Sequence, residues 1–364
     1  MKKFFRILSL VLALCMAMAA CCCAAAEEEP YKIGFTYFSS TDPYGMKMIE
    51  AIRACCEAAG CEFLYTDWAT MDMDGMVASY QNLIEQGCNG IFVCMMAPAI
   101  VNMCERAGVS FVVDHAYMND ENLQNMCFTS PAFAGQIVCD DYQSGIDMMA
   151  AFQAAGADKV AYIGPVAGQA QQKDISLKGA QDYLETADGI EMVTVYQGDD
   201  YLTTALLQVA TAYPDVNGFI LPNGQMIPQL YSEGLNDRIK VATVDCDAET
   251  AMTMLKDGTM AAYAGAEASA AILYPAFAML YNHMTGNDII ADKTQMINVP
   301  YVMIYSAEEL EEYNTYFSGD APLFTAEEIQ SMLVKYNPEA NYDTLMEVVN
   351  SFTLEGFAAR FANR

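Results

Sequence analysis

Basic residues are scarce in this chain. Its 364 residues carry 17 Lys and Arg against 47 Asp and Glu, a formal net charge of −30, and three of the positives (Lys2, Lys3 and Arg6) lie at the very start. A polyanion without a concentrated cationic patch cannot hold phosphates, so nucleic acid is excluded as a partner. Histidine is almost missing: only His115 and His283 occur. With so few, and with no H-E-x-x-H, G-x-S-x-G or Walker A run, a zinc or triad enzyme is not expected. Gly164-x-x-x-Gly168 lacks the Lys-Ser/Thr of a phosphate loop, and Asp72-x-Asp74-Gly75 lacks the third acidic position and distal Glu of a calcium loop. No metal, cofactor or enzymatic activity is therefore expected. Beyond the first twenty residues, no apolar run reaches the ~18 residues that a spanning helix needs.

What is present starts with a segment to be removed. Residues 1–20 read as an export signal: the three positives, an apolar run from Ile7 to Met18 broken only by Ser9, then Ala19 and Ala20. Met18-Ala19-Ala20-Cys21 resembles a bacterial lipobox, which implies acylation of Cys21 as a membrane anchor on the extracytoplasmic face; ordinary cleavage near Ala26 is the alternative. Residues 21–30, with Glu27-Glu28-Glu29-Pro30, then serve as an acidic tether. Nine further cysteines, from Cys55 to Cys246, show no C-x-x-C spacing and fall mostly on apolar faces, as small buried hydrophobes would.

With 54% hydrophobic and 18% charged residues the chain can fill packed cores. Single cores stop growing at roughly 250–300 residues, so two lobes are expected. From Tyr31 onward, short β-branched runs alternate with helical stretches, the pattern of a parallel sheet covered by helices. The first series has strands over 32–37, 62–65, 90–94 and 110–114, with helices near 43–59, 74–86 and 98–107. Asp42 is placed as cap and Gly60 as stop of the first helix. A polar loop over 119–125, a short strand near Cys127 and a helix over about 136–155 lead to a second series. That series has strands near 159–163, 192–196, 218–221, 240–245 and 260–264. A long helix over 267–285 and one strand over 296–304 follow. Residues 307–364 read as a helical extension, with a capping box at Thr325-Ala326-Glu327-Glu328.

Open parallel sheets bind ligands beyond the carboxyl ends of their strands. Those ends offer carboxylates (Asp114, Asp200, Asp245), an amide (Asn223), His115 and Lys173 as donors, and the rings of Tyr44 and Trp68. Such a set suits a neutral polyol: carboxylates accept from hydroxyls, Asn donates and accepts, and rings cover a sugar's C–H face. Each residue also has a plainer role, since a strand-end Asp often caps the next helix.

The run Ala212-Tyr213-Pro214-Asp215-Val216-Asn217-Gly218-Phe219-Ile220-Leu221-Pro222-Asn223 is similar to one that ends in a ligand-binding Asn in type I periplasmic binding proteins, the ribose- and galactose-binding receptors of ABC importers. Val241-Ala242-Thr243-Val244-Asp245 and Val109-Ser110-Phe111-Val112-Val113-Asp114 resemble the family's two strands that end in sugar-binding Asp, and Thr41-Asp42-Pro43-Tyr44 stands where the family has Asn-Pro-Phe. The resemblance covers about residues 31–304. It implies an α/β fold of two doubly wound Rossmann-like lobes joined by a three-stranded hinge, with 31–140 and 268–293 in the N-terminal lobe and 141–267 and 294–306 in the C-terminal lobe. The crossings would lie near Asp140, Glu267 and Lys293. It further implies a monomer that closes over a small ligand, most readily a monosaccharide, and docks on an ABC permease. A nucleoside or another small metabolite, or ligand presentation to a membrane sensor, are the alternatives. His115 departs from the Arg that sugar binders commonly have there, and Lys173 stands near the second expected Arg, with Ser176 at the position that aligns with it.

Overall fold

Helix starts in this chain are set by short acidic side chains that take up free first-turn amides. Asp42 accepts from Gly45 N at 2.9 Å, Asp72 from Gly75 N at 2.8 Å and Asp120 from Leu123 N at 2.8 Å. The computed structural model describes residues 29–364 except positions 71, 119, 223, 245, 320 and 321. The export signal, Cys21, most of the tether, Asn223 and Asp245 thus lie outside the described residues.

In chain order the first series is β1 (Lys32–Tyr37), α1 (Pro43–Ala59), β2 (Glu62–Asp67), α2 (Met73–Glu85), β3 (Gly90–Val93), α3 (Pro98–Ala107), β4 (Ser110–Asp114), α4 (Glu121–Thr129) and β5 (Phe133–Cys139). The second is α5 (Asp141–Ala154), β6 (Lys159–Gly164), α6 (Gln171–Tyr183), β7 (Glu191–Gln197), α7 (Ala205–Ala212), β8 (Gly218–Leu221), α8 (Ile227–Ser232), β9 (Lys240–Val244), α9 (Ala248–Lys256) and β10 (Met260–Ala264). Then follow α10 (Ala266–Ala270), α11 (Leu273–Met284), β11 (Met296–Val299), β12 (Met303–Ile304) and helices α12 (Ala307–Phe317), α13 (Ala326–Ser331), α14 (Tyr342–Asn350) and α15 (Leu354–Ala362). No described helix is long and apolar enough to cross a membrane.

Two six-stranded sheets result, in the orders β11-β5-β4-β3-β1-β2 and β12-β10-β9-β8-β6-β7. All pairings are parallel except β10 with β12. The orders match element for element, so each lobe is doubly wound, as expected. Phe111, Phe133, Tyr80 and Ile91 fill the core of the first; Phe152, Tyr162, Met149 and Ile220 fill the second. In the second lobe α5 and α6 nearly touch: a Cβ on Gly145 would sit 1.9 Å from Ser176 O, and one on Gly179 1.9 Å from Tyr142 O. Only glycine permits that approach.

Two local expectations are corrected. Residues 121–129, expected as loop and strand, form α4, and 133–139, whose last four residues were expected to open a helix, form β5. That strand is buried along its whole length, so it lacks the alternation that marks a half-exposed one. Its helix starts only at Asp141, after Asp140 accepts from Gln143 N at 3.0 Å. The single strand expected over 296–304 in the C-terminal lobe is two. Met296–Val299 pairs with β5 of the first sheet, and Met303–Ile304 with β10 of the second. Pro300 cannot donate to a ladder and ends the first pairing. The chain passes between sheets near Asp140, near Gly265 and at 300–302, the last later than expected at Lys293.

The C-terminal extension is helical and bears on both lobes: α13 packs on α1, and α12 on α9. The expected capping box is formed, with Glu328 accepting from Thr325 N at 2.7 Å and Thr325 from Glu328 N at 3.2 Å. Fully buried Asn282 of α11 donates to Met332 O at 2.9 Å and accepts from Val334 N at 2.8 Å. All nine described cysteines are free thiols, seven of them buried.

Candidate functional site

Strand β1 ends at Tyr37, whose carbonyl accepts from Trp68 N at 2.9 Å just past β2. That bond sets two aromatic residues side by side at the carboxyl edge of the first sheet. Tyr37 stands 4.3 Å, centroid to centroid, from Phe38, 6.3 Å from Tyr44 and 6.4 Å from Trp68. Tyr44, on the first turn of α1, meets His115 edge-on at 5.9 Å. Three expected residues, Tyr44, Trp68 and His115, are thus joined through Tyr37, which was not singled out. Its position as the last residue of β1, with Phe38 next, was the available signal. Trp68 Nε1 is buried without a hydrogen-bond partner.

Asp114, the last residue of β4, is fully buried. Its Oδ1 lies 2.7 Å from His115 Nδ1, and His115 Nε2 lies 3.1 Å from Ser269 O. His115 has φ of 55°, the only described non-glycine residue in the left-handed region. Histidine enters that region more readily than β-branched residues. Asp114 Oδ2 is buried with no hydrogen-bond partner, an arrangement that costs several kcal/mol for an anionic oxygen left without a donor. Burial, and then the Asp114 charge, push the Cys94 thiol up to about 12; the same two causes raise Tyr80, with Cys94 acting between them.

On the second lobe, Asp200 follows β7 and turns to its own neighbours. Its carboxylate accepts from Thr204 Oγ1 and from the Tyr196 hydroxyl, both at 2.5 Å. Those two bonds hold it below the usual carboxylate range. Lys173 lies in the first turn of α6, and its carbonyl accepts from the Tyr162 hydroxyl at 3.2 Å. The loop before it is fastened by Asp174, which accepts from Gly168 N at 2.7 Å and Gln197 Nε2 at 2.8 Å. Asn223 and Asp245 follow β8 and β9, which are paired neighbours.

A second polar group sits where the sheets exchange chain. Buried Asp141 accepts from the Tyr301 hydroxyl at 3.0 Å. The Tyr117 hydroxyl lies 3.0 Å from both Asp141 Oδ2 and Cys139 O. Burial and then the Asp141 charge raise the Tyr117 phenol. Tyr117, Asp141 and Tyr301 were not singled out; Asp141 and Tyr301 are 160 residues apart in sequence, and the pairing of β11 with β5 brings them together. Among the described residues no three His, Cys, Asp or Glu side chains gather as a metal site.

The model of the periplasmic binding protein domain matches residues 33–288. No curated protein matches this chain in sequence. Among solved structures it is similar to an ABC transporter solute binding protein from Bacillus halodurans with bound myo-inositol, at 19% identity and a TM-score of 0.60, covering 80% of this chain and 99% of that one. It is similar to a periplasmic solute binding protein from Actinobacillus succinogenes with bound D-allose, at 16% identity and a TM-score of 0.62, covering 78% and 100%. It is also similar to a solute binding protein from Agrobacterium vitis bound with α-D-tagatopyranose, at 17% and 0.62, covering 79% and 98%. At these identities the likeness is one of fold, and it leaves part of this chain unmatched. The sheet orders, the three passages between sheets and the family model agree: the chain belongs to the periplasmic binding protein domain family.

Proposed function

We propose that this protein captures a monosaccharide between its two lobes outside the cytoplasmic membrane and passes it to an ABC permease. Acylated Cys21 would hold it to the membrane, and it would act as a monomer. One observation carries the sugar reading: Asp114 ends β4 with one carboxylate oxygen bonded to His115 and the other buried without a donor, and the His115 ring meets Tyr44 of the aromatic group that holds Trp68. A sugar hydroxyl is such a donor, and the rings suit its C–H face. Trp68 Nε1 offers a matching donor. Asn223 and Asp245 complete the site from the second lobe, with Lys173 and Asp200 at its border. The solved proteins of this fold with bound myo-inositol, D-allose and tagatose support the same class of ligand.

Binding works here by population shift: a ligand that touches both lobes favours the closed form. Thermal unfolding against a panel of pentoses, hexoses, myo-inositol and purine nucleosides tests the reading, since a ligand at about 100 times its dissociation constant adds roughly 2.7 kcal/mol of stability. A rise in melting temperature with one or more sugars supports it. A rise with a nucleoside and none with any sugar overturns it. Incorporation of labelled fatty acid, abolished by Cys21→Ser, tests the anchor.

A further inference from the structure

Asp114 and His115 are consecutive, and in an extended strand consecutive side chains point to opposite faces. They meet at 2.7 Å because the backbone leaves the strand at His115 through the left-handed region, φ 55°. The other ring nitrogen reaches Ser269 O, 154 residues away. Ser269 lies on α10, the short helix at which the chain returns from the second sheet to the first, and α10 packs on α1. With Nδ1 and Nε2 both engaged and the ring edge against Tyr44, the imidazole has no polar atom left for a bound molecule.

We propose that His115 is a positioning residue. Through Nδ1 it fixes Asp114 Oδ1 and leaves Oδ2 for the bound molecule; through Nε2 it fastens that carboxylate to the passage at Ser269. The binding consequence rests on the reading of Asp114 given above, whereas the tie to Ser269 stands apart from it. An Arg after the strand-end Asp could reach a ligand directly; a shorter imidazole with two intramolecular acceptors couples the carboxylate to the chain crossing instead.

Two substitutions separate the bonds. In His115→Asn the amide nitrogen stands near the Nδ1 position and cannot reach Ser269, and Asn tolerates positive φ. In His115→Gln the amide nitrogen stands near the Nε2 position and the bond to Asp114 is lost. The readouts are hydrogen exchange of residues 266–272 in ligand-free protein, and calorimetric titration with myo-inositol, D-allose and D-tagatose. His115→Asn should speed exchange over 266–272 and keep wild-type affinity within about threefold, while His115→Gln should keep wild-type exchange and weaken binding about tenfold or more. Wild-type exchange in His115→Asn, or wild-type affinity in His115→Gln, overturns the proposal. If none of the three sugars binds the wild type, the sugar reading is what falls, and the exchange arm alone decides the tie.

Discussion

The Tyr301 hydroxyl donates to Asp141 Oδ1 at 3.0 Å, joining the third passage between the sheets to the first. Asp141 is buried, so the bond is of the charged, shielded kind. Tyr301→Phe should lower unfolding free energy by about 1.5–3 kcal/mol, the range for a bond to a charged group, read as a shift of the denaturant midpoint. Asp141→Asn should cost less, because the amide oxygen still accepts. An unchanged midpoint in Tyr301→Phe would show that this bond adds nothing to stability.

Asn282 of α11 ties down the extension through two hydrogen bonds. Asn282→Ala removes the partner of both Met332 O and Val334 N, the first buried and the second partly buried, and the buried carbonyl left unpaired costs roughly 1–3 kcal/mol. The expected result is a lower melting temperature and faster proteolytic release of a C-terminal fragment. Equal resistance to protease would mean that α12–α15 are held elsewhere, for instance by Tyr336, whose hydroxyl donates to Ala59 O at 2.7 Å.

The thiols should be slow to react. Burial pushes Cys61 up to about 11 and Cys94 and Cys127 up to about 12, and the thiolate is the nucleophile. With iodoacetamide at pH 8, native protein should label slightly and protein in guanidinium at all nine described cysteines. Rapid native labelling at several sites would contradict the packing described.

Acid should weaken the fold. Burial works to raise Asp288, but hydrogen bonds from His283 at 2.8 Å and Lys293 at 2.7 Å leave it below the usual value. A carboxylate with a depressed folded-state pKa contributes stability that is complete above its unfolded pKa, about 3.9, and is lost as pH falls through the folded value. Stability should therefore be level above about pH 5 and decline below about pH 4, and Asp288→Asn should flatten that decline. An acid limb identical in the variant would remove Asp288 from the account.

Much of the architecture was legible because its signals are local. Asp42 and Gly60 mark the ends of α1, the β-branched runs mark most strands, and Asp114 falls at the end of β4 as read. β5 was not legible: Phe133–Cys139 is buried on both sides, so neither period appears, and Asp140 was passed over as a cap. The passage at Pro300 and the group around Asp141 depend on the pairing of β11 with β5, which no short window contains. Sequence alone offers His115 as a donor to the ligand; its bond to Ser269 spans 154 residues and changes that role.

The most direct test is calorimetric titration of wild type, Asp114→Ala and Asp245→Ala with the sugar that most raises the melting temperature. The account predicts one site per chain in the wild type and a loss of about a hundredfold or more in each variant, with both variants still folded, since each removes a charged acceptor worth about 3 kcal/mol. Affinity unchanged in both variants would contradict it.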